Sequence, residues 1–235
     1  MPNYVTNIIT FGTDNGARAA FRRMLDTVRV DGKELGSITF EKLLPMPEYV
    51  RASMKPGPEK AAHGVQNERQ NERQNGEGKT AFPLWYTWSC DHWGAPWDAV
   101  DFCPLDPERC DRTMTFSTAW SPVPLVVTEL SRRFPDQTIT YCWAENENIG
   151  LNVGEMVLKG GEVLSERTPV EESREACELC ADILGLDLAD FGLFLTEDET
   201  AYEYREASPE KHVSPDENHK LSHWESKPKN RNPVR

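Results

Sequence analysis

Twice along this chain the apolar residues change their spacing from every second position to every third or fourth, and a polar insertion separates the two occurrences. Alternation belongs to a strand and the wider spacing to an amphipathic helix, so the chain must build at least two β-α units. In the first, "NYVTNIITF" sets Val5, Asn7, Ile9 and Phe11 on one face and Tyr4, Thr6, Ile8 and Thr10 on the other. After "GTDNG", Phe21, Met24, Leu25 and Val28 form a helical stripe, with Arg18, Arg22 and Arg29 on the wet side. "SITFEKLLPMP" then reads as a second strand through Ile38 and Phe40, stopped by Pro45 and Pro47.

In the second unit, "TMTFSTAW" puts Met114, Phe116, Thr118 and Trp120 on one face. "SPVPLVVTELSRRFPD" follows as a helix, with Ser121 as N-cap, Pro122 at the first helical position and Pro135 as its stop. Its stripe is Val123, Val126, Val127, Leu130 and Phe134, and "QTITYCWAEN" is a further strand. Extra strands or hairpins are expected near residues 84–89 and 149–158. The order β-α-β-β-α-β is that of the ferredoxin-like split βαβ arrangement, an α+β fold whose antiparallel sheet carries two helices on one face. The bare face then needs a cover, and "WSCDHWGAPWDAVD" (88–101) is placed to supply it. Four indoles, Trp88, Trp93, Trp97 and Trp120, carry enough apolar area to hold such a loop, each worth up to roughly 5 kcal/mol before entropy.

Domain limits follow from composition. Residues 1–160 form the ferredoxin-like domain, and 51–80, with its "NERQNERQ" duplication and no apolar anchors, is a flexible insertion. Residues 161–206 are an acidic helical extension, with a capping box of Thr168 and Glu171 around Pro169 and a C-terminal cap at Gly185. Residues 207–235 are a disordered tail. The charge is uneven: 141–206 holds 4 basic and 17 acidic side chains, a net of −13, whereas 1–140 carries only −2. Such a surface repels phosphate backbones, which argues against direct nucleic-acid binding, and attracts basic partners. With no apolar run near 18 residues and no signal-like N-terminus, membrane association is not expected; the expected location is cytoplasmic, with all six cysteines as free thiols.

Three sites can be drawn from these residues. The first is a ligand bracket in which Trp93 and Trp97 sandwich a planar or cationic group. Asp91, Asp98 and His92 orient it, Gly94 admits it to the backbone, and Trp120 stands beside it. The second is a partner-binding acidic helix face of Glu171, Glu172, Glu175 and Glu178. The third is structural zinc on Cys90, His92, Cys103 and Cys110, whose ligand types suit the metal but whose spacing fits neither a ribbon nor a finger, so no metal or cofactor is assigned. Cys177-x-x-Cys180 lies on a helical apolar stripe and is read as core. No nucleophile elbow, phosphate loop, dinucleotide fingerprint or H-E-x-x-H occurs, so catalysis has no sequence support.

The blocks "MPNYVTNII…F", "FEKLLPMP", "HWGAPWDA", "FSTAWSPVP…ELSRRFPD" and "YCWAENENIGLNVGE", in that order, resemble a family of uncharacterised phage and conjugative-plasmid proteins with a ferredoxin-like domain. The family takes its name from a protein of an aphid-endosymbiont phage, and the similarity spans residues 1–160 apart from the insertion. Family members show Asn-Trp-Gly-Thr-Lys-Trp-Asn-Ala where this chain reads His92 to Ala99. The aromatic and glycine frame is kept and the polar positions differ, which favours tryptophans present for shape. The resemblance implies a mobile-element accessory protein inside a bacterial host. The leading expectation is therefore a non-catalytic protein that binds a host protein or defence complex through its acidic surface. The alternative is a small-ligand or nucleotide-handling protein using residues 88–101. The oligomeric state is left open.

Overall fold

Alternation in the first strand survives folding intact: Val5, Asn7, Ile9 and Phe11 are buried, while Tyr4, Thr6, Ile8 and Thr10 are half-buried. The computed structural model describes residues 3–54, 82–106 and 112–205. Strand β1 (Tyr4–Phe11) lies second, between β2 and β3, in a five-stranded antiparallel sheet of order β2-β1-β3-β4-β5. The others are β2 (Thr113–Ala119), β3 (Thr138–Glu145), β4 (Gly154–Lys159) and β5 (Glu162–Arg167). Helix α4 (Pro124–Arg133) links β2 to β3 across β1, which is a split βαβ unit, and β3-β4-β5 follows as a meander. Gly160 and Gly161 both have positive φ, 61° and 86°, and close the two-residue turn between Lys159 and Glu162 that other residues would strain.

Helix α1 (Ala17–Val28) buries Phe21, Met24, Leu25 and Val28, the stripe its spacing predicts. It shares one core with Val126, Val127 and Leu130 of α4 and with Met114, Phe116, Ile139, Tyr141 and Trp143 of the sheet. Both helices thus lie on one face, as a ferredoxin-like fold requires. Within that core Asn7, Thr118 and Tyr141 form a buried polar chain. Tyr141 Oη donates to Asn7 Oδ1 at 2.6 Å and accepts from Val123 N at 2.8 Å. Asn7 Nδ2 donates to Thr118 Oγ1 at 2.8 Å, and Thr118 donates to the Ser121 carbonyl at 2.6 Å. Three strands and the start of α4 are fixed by this chain.

Several elements differ from expectation. Residues 38–42 make no strand. Thr39 N bonds Val28 O and Phe40 N bonds Asp98 Oδ1, so donors a sheet would use are satisfied elsewhere, and Phe40–Lys42 turns as 3₁₀. Residues 84–89 belong to helix α3 (Leu84–Trp93), bracketed by Pro83 and by Gly94 at φ 89°. Helix α4 starts two residues later than predicted, with Val123 as N-cap and Pro124 at N1 in place of Ser121 and Pro122. Helix α5 (Arg174–Leu184) is capped by Ser173, whose side chain accepts from Ala176 N, and not by a box of Thr168 and Glu171; Gly185 is its C-cap. The 160/161 boundary cuts the β4–β5 hairpin, so the acidic extension begins inside the sheet. A second short helix, α2 (Glu48–Ala52), takes the first two positions of the expected insertion; from residue 55 to 80 that insertion lies outside the described residues, as does the tail at 207–235. Short strands β6 (Leu193–Leu195) and β7 (Tyr202–Tyr204) pair as a separate hairpin.

The cover of the second sheet face is also corrected. Helix α5 packs there, with Ala176, Leu179, Cys180 and Ile183 against Ala144, Val153 and the half-buried Ile8 and Cys142. The tryptophan-rich segment lies on the α1/α4 side instead, where Trp93 joins the main core. α5 can reach the second face because residues 168–170 leave β5 and the chain then turns at 171–173, where Glu172 has φ 59° and Ser173 N bonds the Val170 carbonyl, before the helix starts. Cys177 and Cys180 are buried on it as apolar fillers, and burial pushes both thiols up. Among the described residues no helix is long and apolar enough to cross a membrane.

Candidate functional site

Six residues were expected to form a ligand bracket, and the structure does not assemble them. Trp93 is 4% exposed, edge-on to Phe40 at 5.8 Å, and its Nε1 donates to the Leu44 carbonyl at 2.8 Å. An indole so placed cannot face Trp97 across a ligand. Gly94 admits no ligand either, since a β-carbon there would stand 2.8 Å from the Pro122 carbonyl. The close approach serves the junction between α3 and the β2–α4 link.

Asp98 is a structural acceptor. Its Oδ1 takes Phe40 N at 2.8 Å and Ala99 N at 3.1 Å. Burial raises its pKa, against hydrogen bonds from Thr39, Phe40 and Ala99 that lower it. His92 lies flat on Trp88 with ring centroids 4.3 Å apart, and its Nδ1 is 2.9 Å from the Trp88 carbonyl. Asp91, at the end of α3, is exposed. His92 and the aspartates therefore form no acid–base pair. Among the described residues no three of His, Cys, Asp and Glu gather to hold a metal, and Cys110 of the expected zinc set lies outside them.

Asp98 yields a test of this reading. Asp98→Asn keeps the acceptor oxygen, so its stability at neutral pH should match or slightly exceed the parent's. Asp98→Ala should lose about 1–3 kcal/mol, because two backbone N–H groups lose their partner. A raised folded-state pKa means that Asp98 stabilises most below its unfolded value and less as pH climbs through the folded one. Urea titrations across that acidic window should therefore show a decline with pH that Asp98→Asn removes.

Trp97 and Trp120 do meet, edge to face at 5.1 Å. Trp120 sits just past β2 with φ 62°, a left-handed conformation that is an outlier for a bulky residue, and it is 44% exposed. Strain of this kind, of order 1–3 kcal/mol, gathers where a side chain must be presented. Asn3 O and Asn152 Nδ2 hold its backbone, the latter at 3.1 Å from the Trp120 carbonyl.

Asn152 leads to the feature that reading along the sequence missed. It helps line a cavity of about 270 Å³ with Pro122, Trp143, Glu166, Thr168 and Glu171. Trp143 is held flat over Gly154, where a β-carbon would fall 2.2 Å from the ring. Glu166 comes from β5, Glu171 from the link to α5, and both carboxylates are exposed. No salt bridge among the described residues involves Glu162, Glu166, Glu171 or Glu172. By contrast Glu175 pairs with Arg167 at 2.8 Å and Glu178 with Arg174 at 2.7 Å. The expected partner face thus splits: Glu171 lines the cavity, Glu172 N bonds the Gly150 carbonyl, and the other two acids are internally paired.

Sheet order, split βαβ connection and shared helical face together define a ferredoxin-like α+β domain with an acidic, partly aromatic cavity. Residues 93–187 match the family model described as the ferredoxin-like domain in Api92-like protein. No curated protein and no solved structure matches the chain.

Proposed function

We propose that this chain is a non-catalytic binding protein that engages a basic macromolecule through the surface formed by β5, the 168–173 link and Trp120. One observation carries the reading: Glu166, Glu171 and Glu172 stand exposed without an intrachain salt bridge among the described residues, and Glu166 and Glu171 share a cavity with Asn152, which bonds the carbonyl of the strained, exposed Trp120. Exposed carboxylates that no intrachain cation neutralises leave a negative field that a basic surface would complement. Exposed aromatics are the usual anchors of such interfaces. The resemblance to phage and plasmid proteins extends the proposal to a host target, a component of a defence system whose positively charged nucleic-acid-binding surface the acids would meet as phosphate mimics.

The test is capture from a bacterial lysate followed by salt titration. Glu171→Lys with Glu172→Lys should weaken the captured complex at least about tenfold, and salt near 300 mM should weaken the parent complex similarly. Glu175→Lys with Glu178→Lys should do less, because those acids are already neutralised by Arg167 and Arg174. Capture indifferent to salt and to Glu171 and Glu172 would remove the proposal. The ligand-binding alternative on residues 88–101 loses support from the burial of Trp93 and the occupation of Asp98 and His92.

A further inference from the structure

We infer that the cavity beside Trp143 receives a single guanidinium group, the side chain of an arginine on the partner. The inference rests on the proposed basic partner for its biological occupant and adds the contact that would select it. Size comes first. At about 270 Å³ the cavity falls below the roughly 300–1,000 Å³ of sites that enclose whole small molecules, so one side chain suits it better than a nucleotide.

Sign comes second. The cavity borders the start of α4, and a helix start with free N–H groups would favour an anion. At the cavity edge, however, Pro122 and Pro124 have no N–H and Val123 N is already bonded to Tyr141 Oη at 2.8 Å, so none of these three residues offers a free donor to an anion. Glu166 and Glu171 therefore set the charge of the opening, with no lysine or arginine among the lining residues.

Shape comes third. A guanidinium is planar, donates five N–H bonds and stacks on aromatic faces, whereas an ammonium is compact and strongly hydrated. The cavity offers an indole wall from Trp143, two carboxylates and Asn152, a set that a planar donor can use together. Pro122 and Pro169 complete the lining with rigid apolar surface along which the aliphatic stem of an arginine can lie.

The experiment is calorimetric titration of the full chain with N-acetyl-arginine amide, its lysine counterpart and its neutral citrulline counterpart, with indole N–H resonances followed in parallel. The arginine probe should bind in the millimolar range or better and shift the Trp143 resonance. Citrulline should bind at least about tenfold more weakly, and lysine should fall between. Glu166→Gln with Glu171→Gln should cost about tenfold, and Glu175→Gln with Glu178→Gln should leave binding unchanged. All four acids are exposed, so these variants should fold like the parent. Absence of arginine binding, equal binding of citrulline, or indifference to Glu166 and Glu171 would each overturn the inference. If salt-sensitive capture survives such a result, only the cavity assignment fails. If the arginine probe binds as expected while capture ignores charge, the partner proposal fails and the cavity stands.

Discussion

Trp93→Ala should lower the stability of the protein by about 3–5 kcal/mol, the loss typical of removing a large buried aromatic. The indole is buried among Phe40, Trp88 and neighbouring core residues, so its removal leaves a void that a turn fixed by Asp98 cannot easily close. The Leu44 carbonyl also loses its donor. Trp97→Ala, with one ring contact against the two of Trp93 and only half-buried, should cost under about 1.5 kcal/mol. Urea unfolding followed by circular dichroism separates the two. Equal losses would mean that the segment acts as one unit and that Trp93 has no privileged place in the core.

Tyr141→Phe comes next in size. The ring stays, but Asn7 Oδ1 and Val123 N lose the hydroxyl that both use, in a region closed to water. Two stranded polar groups predict a loss of about 2–4 kcal/mol, or a melting point lower by about 10 °C. Burial raises the pKa of the Tyr141 phenol, so ionisation does not complicate the comparison near neutrality. Tyr4→Phe, on the half-buried face of β1, should change stability by less than about 0.5 kcal/mol. A loss in Tyr141→Phe no larger than in Tyr4→Phe would show that the buried chain of hydroxyls and amides is not needed to fix the start of α4.

Legibility in the sequence followed burial contrast. β1, α1, β2, α4 and β3 each bury one face more fully than the other, so their periods survive in the residue order. α3 buries only Ser89 and Trp93 outright, and its density of aromatics imitates a strand; the brackets at Pro83 and Gly94 were the usable signal. β5 is exposed along its whole length, so "EVLSER" shows no alternation to read. Ile38 and Phe40 alternate like a strand because both are buried, yet Thr39 N is claimed by the Val28 carbonyl and Phe40 N by Asp98, a residue 58 positions away. The cap of α5 moved from Thr168 to Ser173 because the intervening residues carry the chain to the other sheet face. That same detour brings Glu171 to the cavity, whose lining comes from segments spread over residues 122–171. Such a site has no local motif, whereas the charge surplus of 141–206 that surrounds it was plain from composition.

On the proposed reading the aromatic segment is scaffold and the acidic edge is the binding side, and a paired comparison tests that division. Capture of the basic partner should be measured for Glu166→Lys/Glu171→Lys and for His92→Ala/Asp91→Ala, both at low salt and with matched stability. The predicted result is loss of the complex in the first variant and full retention in the second. Retention in the first with loss in the second would place binding on the tryptophan-rich helix and contradict the account.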